Sequence, residues 1–305
     1  MATPRYLNTV PVDPNGAVPE SNLPGPLPYE LTTRAFVRTV EDVHDLLRDL
    51  NGLLFSKSYR RAETLLDPAG FSGLLSRTVL DRLAAASRTL VVNRFHNGYP
   101  DLLERGRYAD DKAQHGEGGV EVKASRYDAR WQTHGPRAGW FVVVQFGLDD
   151  RDTVAEVDLE PTRVVAVLVA PLELADWSWQ PAGAGRIRSG TASVKASGSV
   201  KLRRGAVWVD PSYRASHDVL LDQARIATFR DNSDDLVVAE FRRLGSAASA
   251  RDVASVLATE QGLDEAAAMS RVQSAFRRLR DQGRLVSVAR GIYTLLDEVE
   301  PTTEP

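Results

Sequence analysis

The run Trp140-Phe141-Val142-Val143-Val144-Gln145-Phe146 is apolar at every position except Gln145. A strand of this kind has no solvent face, so it belongs at the centre of a sheet covered by another layer on each side. A second run, Val164-Val165-Ala166-Val167-Leu168-Val169, opened by Arg163, makes the same demand. Leu90 to Asn93 and Gly119 to Ser125 read as further strands. Ahead of them the pattern is helical. Val43, Leu46, Leu47, Leu50, Leu53 and Leu54 recur at helical spacing within Val40 to Leu54, and Tyr59 to Leu66 and Leu74 to Ala86 supply more helix. Helices first and strands after predict an α/β or α+β core.

The chain of 305 residues is long enough for two domains with cores of their own. Residues 1–30 carry seven prolines, too many for a helix or a central strand, and are expected to form an extended arm. The core is expected over 31–231, a smaller domain over 232–297, and an acidic tail over 298–305. In the smaller domain, Asp235 to Leu244 is a helix, Ser249 caps a second, and Asp264 to Asp281 is a third that Gly283 stops. Arg284 to Leu295 then reads as two short strands around an Arg-Gly turn. Three helices and a hairpin in this order resemble a winged helix-turn-helix domain.

No run of about eighteen apolar residues is present to cross a membrane. The absence of cysteine removes disulfides, thiolate zinc sites and cysteine nucleophiles together, and fits a reducing cytoplasm. The five histidines, His44, His96, His115, His134 and His217, lack paired ligand spacing. A net charge of −3 argues against indiscriminate coating of nucleic acid.

The residues with chemical content are carboxylates. Pro100-Asp101 follows a turn-prone stretch, and about twenty residues later Glu121 and Lys123 alternate with Val120 and Val122. Period 2 sends Glu121 and Lys123 to one side of a strand. Carboxylate oxygens suit a hard cation such as Mg2+, and a neighbouring lysine can orient or deprotonate an attacking water. Asp110, Asp111 and Glu117 lie between and are alternatives to Asp101, which ranks first because Pro100 fits a strand entry.

Asp101, Glu121 and Lys123 in this order resemble the PD-(D/E)xK superfamily, which includes many restriction endonucleases. The resemblance implies a mixed-sheet nuclease core and Mg2+-dependent hydrolysis of phosphodiester bonds. Asp101 and Glu121 would be the metal ligands and Lys123 the residue acting on water. It also implies supporting roles for Gln145, on the strand after Glu-x-Lys, and for Glu63, on an early helix. A homodimer is expected, since such cores use two copies to cut two strands, and double-stranded DNA is the expected partner. The rival reading is a DNA-binding regulator or adaptor that keeps the fold without the chemistry; an RNA-directed nuclease is a third.

Two segments carry candidate DNA contacts. From Trp177 to Val209 there is no acid, while Arg186, Arg188, Lys195, Lys201, Arg203 and Arg204 lie among Gly and Ser, as in a basic loop or hairpin laid along phosphates. In the third helix of the smaller domain, Met269, Val272, Phe276 and Leu279 form the apolar face. The resemblance to a winged helix implies that Arg271, Ser274, Arg277 and Arg278 would face DNA, with Arg290 joining them from the wing.

Overall fold

In the computed structural model the described residues are 3–126, 128, 131–180, 190–231, 233–244 and 247–296. The chain divides into two units, Met1–Asp218 and Val219–Pro305. The division falls inside a helix, thirteen residues before the boundary expected from the sequence.

Three helices open the first unit: α1 (Thr33–Ser56), α2 (Ala62–Leu65) and α3 (Pro68–Ala86). Helix α1 starts seven residues earlier than its apolar spacing suggests, because the Thr32 hydroxyl caps it by accepting from the Ala35 amide at 3.2 Å. In α3, Asp67 accepts from Gly70 and Pro68 occupies the first turn, where its missing N–H costs nothing. Phe36, Val40, Val43 and Leu47 of α1 and Phe71, Leu75, Val79 and Leu83 of α3 are buried.

Six strands form the main sheet: β1 (Leu90–Val92), β2 (Leu102–Glu104), β3 (Val120–Ser125), β5 (Gly139–Gly147), β6 (Arg163–Leu172) and β9 (Ala206–Val209), in the order β1-β2-β3-β5-β6-β9. A second sheet of three short strands, β4 (Gln132–Thr133), β7 (Trp177–Gln180) and β8 (Thr191–Val194), is ordered β4-β8-β7 and is followed by helix α4 (Ala196–Arg204). The main sheet is mixed, since β3 runs parallel to β5 while the other neighbours are antiparallel.

The alternation of β5 explains the two covering layers that its apolar run requires. Val142, Val144 and Phe146 join Val120 and Val122 in a core with α1 and α3. Phe141 and Val143 instead pack with Trp131 and Trp177, with Ala192 and Val194 of β8, and with Leu202 of α4. Glu121 and Lys123 therefore face the second layer, away from the helices.

The proline-rich arm is not featureless. It forms three single-turn 3-10 helices, buries Tyr6, and lays itself along β9. Ala17 bridges to Trp208, the Val18 amide donates to the Val207 carbonyl at 3.0 Å, and the Trp208 indole N–H donates to the Asp13 carbonyl.

The second unit takes most of α5 (Arg214–Asp231), then α6 (Ser233–Leu244), β10 (Ala248–Ser249), α7 (Ala250–Gln261), α8 (Glu265–Asp281), β11 (Leu285–Ala289) and β12 (Ile292–Leu295). Its caps are those the sequence advertises. Ser249 and Asp252 exchange hydrogen bonds as a capping box, Asp264 caps α8, and Gly283 leaves the helix at φ 71°. Val237, Phe241, Val253, Leu257, Val272, Phe276 and Leu279 share one core. The two-residue strand β10 pairs with β12 and completes a three-stranded sheet that the sequence pattern does not reveal. Among the described residues no helix is long and apolar enough to cross a membrane.

Candidate active site

Register brings the carboxylates together. Strands β2 and β3 are antiparallel with Leu102 opposite Val120, so one further step along that pairing sets Asp101 opposite Glu121. Leu102 and Val120 turn toward the helices, which leaves Asp101 and Glu121 on the other face. Lys123, two residues along β3, lies on that face too, and its Nζ is 2.7 Å from Glu121 Oε1.

The shortness of β2 gives Asp101 a second task. Beyond Leu102 the edge amides of β3 have no strand beside them. Asp101 Oδ2 accepts from the Val122 amide at 2.9 Å, and Ser76 Oγ accepts from the Ala124 amide at 3.0 Å. Each side chain replaces a ladder partner that an unpaired amide would otherwise lack.

Glu121 is 6 % exposed. Burial pushes the Asp101 carboxyl up to about 7, with the neighbouring Glu121 carboxylate adding to the rise against the opposing Lys123 ammonium. The two carboxyl groups are within hydrogen-bonding reach of one another. For Lys123, burial pulls the ammonium down, but Glu121 and Asp101 together outweigh it and hold the group above its usual value. Lys123 is consequently charged at neutral pH. Two acids and one cation on a buried strand face form a site whose own charges do not balance comfortably.

Two residues of this site escape sequence reasoning. Tyr99 sits before Pro100, its hydroxyl donates to the Ala138 carbonyl at 3.0 Å, and burial followed by the Glu121 charge pushes it up to about 12. The Arg137 guanidinium lies over the Tyr99 ring at 4.1 Å from its centroid. Arg137 acts electrostatically on both Tyr99 and Lys123, which locates a second cation at the site. No spacing rule points to it, because it is stacked, from the loop before β5, on an aromatic ring.

Gly119 makes the register possible. It has φ +105°, and a Cβ there would lie 2.0 Å from the Leu102 carbonyl oxygen. Gly119→Ala is expected to part β2 from β3 at the level of Asp101, costing roughly 2 kcal/mol of stability. Thermal unfolding measures that loss, and a variant as stable as wild type would show that the approach is not needed.

The structure does not bring the two supporting residues to this site. Glu63 accepts from Asn51 Nδ2 at 3.0 Å and from Thr162 Oγ1 at 2.8 Å, just before β6 begins. The level of Glu121 passes through Phe141 to Ala170, eight residues along β6 from Thr162, roughly 25 Å away. Glu63 is a structural link at the opposite end of the sheet. Gln145 shares the face of Glu121 but is paired with Ser125, four residues along β5 from Phe141 or roughly 13 Å, and donates to Asp128. Asp110 and Asp111 occupy a 3-10 turn, and Glu117 pairs with Arg107, so none of the three replaces Asp101.

The basic segment is likewise redistributed. Arg186 and Arg188 lie outside the described residues. Lys195 is exposed at the start of α4, and Arg204 lies on the rim of a cavity of about 640 Å3 under the arm. Lys201 is held by Asp176 at 2.7 Å and Glu173 at 3.3 Å. Arg203, 2 % exposed, points inward to the Asp128 carbonyl and the Trp131 ring, so it cannot meet a phosphate. What reads as a solvated basic loop is in part a helix. In the second unit, Arg271 donates to the Ile226 carbonyl at 3.1 Å and Arg278 clasps Asp234 at 2.6 Å, so both fasten α8 to its neighbours. Ser274, Arg277 and Arg290 are exposed.

No protein-family model matches the chain, and no curated protein matches it in sequence. The geometry itself therefore carries the functional argument.

Proposed function

We propose that this chain is a divalent-metal-dependent DNA endonuclease of the restriction-endonuclease-like kind. Its first unit would cut, and its second, a winged helix-turn-helix in order of elements, would hold the duplex. The observation that carries the reading is the pairing of Asp101 with Glu121 across β2 and β3, with Lys123 2.7 Å from Glu121.

The donor set suits Mg2+. Two carboxylates in mutual reach, one of them pushed up to about 7, would be relieved by a divalent cation between them. Among the described residues no three His, Asp or Glu gather around a metal position. Mg2+ makes do with one or two carboxylates and keeps water and phosphate oxygens for the rest, whereas structural zinc asks for four protein ligands. When bound, the cation supplies charge stabilisation for the pentavalent phosphorane.

The roles of the side chains follow. Asp101 and Glu121 would hold the cation. Lys123, 2.7 Å from Glu121, would orient or activate the attacking water and offset phosphate charge. Arg137, stacked on Tyr99, adds a fixed positive charge for the developing oxyanion. Lys123→Ala is expected to lower the single-turnover rate about 100-fold and Arg137→Ala about 10- to 100-fold, each with little change in duplex affinity. An unchanged rate for either reduces it to a structural lysine or arginine.

The decisive experiment is cleavage of supercoiled plasmid with Mg2+ or Mn2+, against an EDTA control. Cleavage that needs the metal supports the reading. Tight duplex binding with no cleavage in any metal would make the chain a non-catalytic DNA-binding adaptor, and preferential cutting of RNA would make RNA its substrate.

A further inference from the structure

The second unit carries a concavity of about 490 Å3, bounded by Arg251 in the first turn of α7, by Gln273, Arg277 and Arg280 along α8, and by Tyr293 of β12. Its charges differ from those of four other arginines in the unit, though among the described residues Arg242, Arg284 and Arg290 also form no ion pair. Arg278 is paired with Asp234, Arg243 with Glu240, Arg225 with Asp222, and Arg271 bonds a carbonyl. Among the described residues Arg251, Arg277 and Arg280 form no ion pair, and no acid lines the concavity. The acid nearest in sequence, Asp252, is folded back onto the Ser249 amide and hydroxyl at 3.0 and 2.7 Å.

Three guanidinium groups without an ion-pair partner around one hollow repel each other, a cost that an anion would convert into attraction. The first turn of α7 adds the positive end of a helix dipole. Gln273, Arg277 and Arg280 are spaced i, i+4, i+7, so they line one stripe roughly 10 Å long, about three phosphate steps of one strand. This stripe lies about 140° around α8 from Arg271 and Arg278.

We infer that the concavity is the duplex-binding surface of this protein, with Arg251, Arg277 and Arg280 each meeting a backbone phosphate, while Arg271 and Arg278 meet none. The inference rests on the nucleic-acid half of the proposed function and is independent of its chemistry.

The test uses the full chain carrying Glu121→Gln in EDTA, with fluorescence anisotropy of a labelled duplex of about 20 base pairs between roughly 50 and 200 mM salt. Arg251→Ala, Arg277→Ala and Arg280→Ala are each expected to weaken binding about 3- to 10-fold. The triple variant should lose about 30- to 1,000-fold and flatten the slope of log K against log salt by about two to three. Replacing all three by lysine keeps the charges and should keep most of the slope. Arg278→Ala should bind within about twofold of the parent. Unchanged affinity and slope in the triple alanine variant, an Arg278→Ala loss equal to the triple, tighter binding of single-stranded RNA than of the duplex, or no duplex binding by the parent would each overturn the inference. Metal-dependent cleavage by the native chain is scored separately. Cleavage with an indifferent triple variant defeats this inference alone, and binding through the three arginines without cleavage defeats the nuclease reading alone.

Discussion

Glu121→Gln and Asp101→Asn should each lower metal-dependent plasmid cleavage by at least about 1,000-fold, because each removes one of two anionic ligands while keeping nearly the same volume. The side chains are not equal in what else they hold. Asp101 also accepts the Val122 amide, and asparagine keeps an oxygen for that bond. Glu121 is the partner of Lys123, so its amide variant leaves an ammonium half-released on the strand face. Far-UV circular dichroism checks that the sheet is intact, and duplex affinity in EDTA should remain within about twofold of wild type. A variant that still cuts at a tenth of the wild-type rate would remove that residue from the site.

Stability should change with pH in a direction unusual for a carboxylate. The folded Asp101 pKa of about 7 lies above its ordinary 3.8, so between those values the folded state binds more protons than the unfolded. Stability is then greatest below about pH 4 as far as this group is concerned, and falls as pH rises to 7. Each pH unit in that window is worth about 1.4 kcal/mol, so at pH 8 Asp101→Asn should stabilise the metal-free chain by about 2–4 kcal/mol, and near pH 4 by much less. Mg2+ should have the converse effect, raising the melting temperature of wild type at pH 8 and leaving the Glu121→Gln and Asp101→Asn variants nearly unmoved. Thermal unfolding at pH 5 and 8, with and without Mg2+, measures both. If Asp101→Asn destabilises equally at the two pH values, the carboxyl is an ordinary structural acceptor.

The parts of the fold that could be read from sequence are those whose signal is local. The apolar runs of β5 and β6, the caps of α7 and α8 and the Arg290-Gly291 turn each advertise themselves within a few residues. Strand β2 does not. Asp101-Leu102-Leu103-Glu104 suits a helix cap as well as a strand, and only the burial of both leucines, on opposite faces of the chain, decides it. Helix α4 is harder still, with Ala, Ser and Gly where strong helix formers would be expected. Its small residues are there for packing, since a Cβ on Gly198 would lie 2.7 Å from Val194 Cγ1. The shared face of Glu121 and Lys123 is legible from their alternation, and Asp101 joins them through the resemblance, whereas nothing in the sequence marks Arg137, and the places of Glu63 and Gln145 do not show because distance along a strand is invisible until register is known.

The seal between the arm and β9 sets a schedule for the growing chain. Asp13 and Trp208, joined through the indole N–H, are separated by 195 positions. An arm made first must wait for the last strand of the sheet, holding its ends apart through nearly the whole synthesis of the unit. Without the arm, the Val207 carbonyl is left as a bare acceptor on the outer edge of β9, and an arm-trimmed protein has an open template for strand addition. Crowded expression of a chain shortened to begin after Val18 would thus yield aggregates held by β9, and the short arm serves this protein as a latch against its own copies.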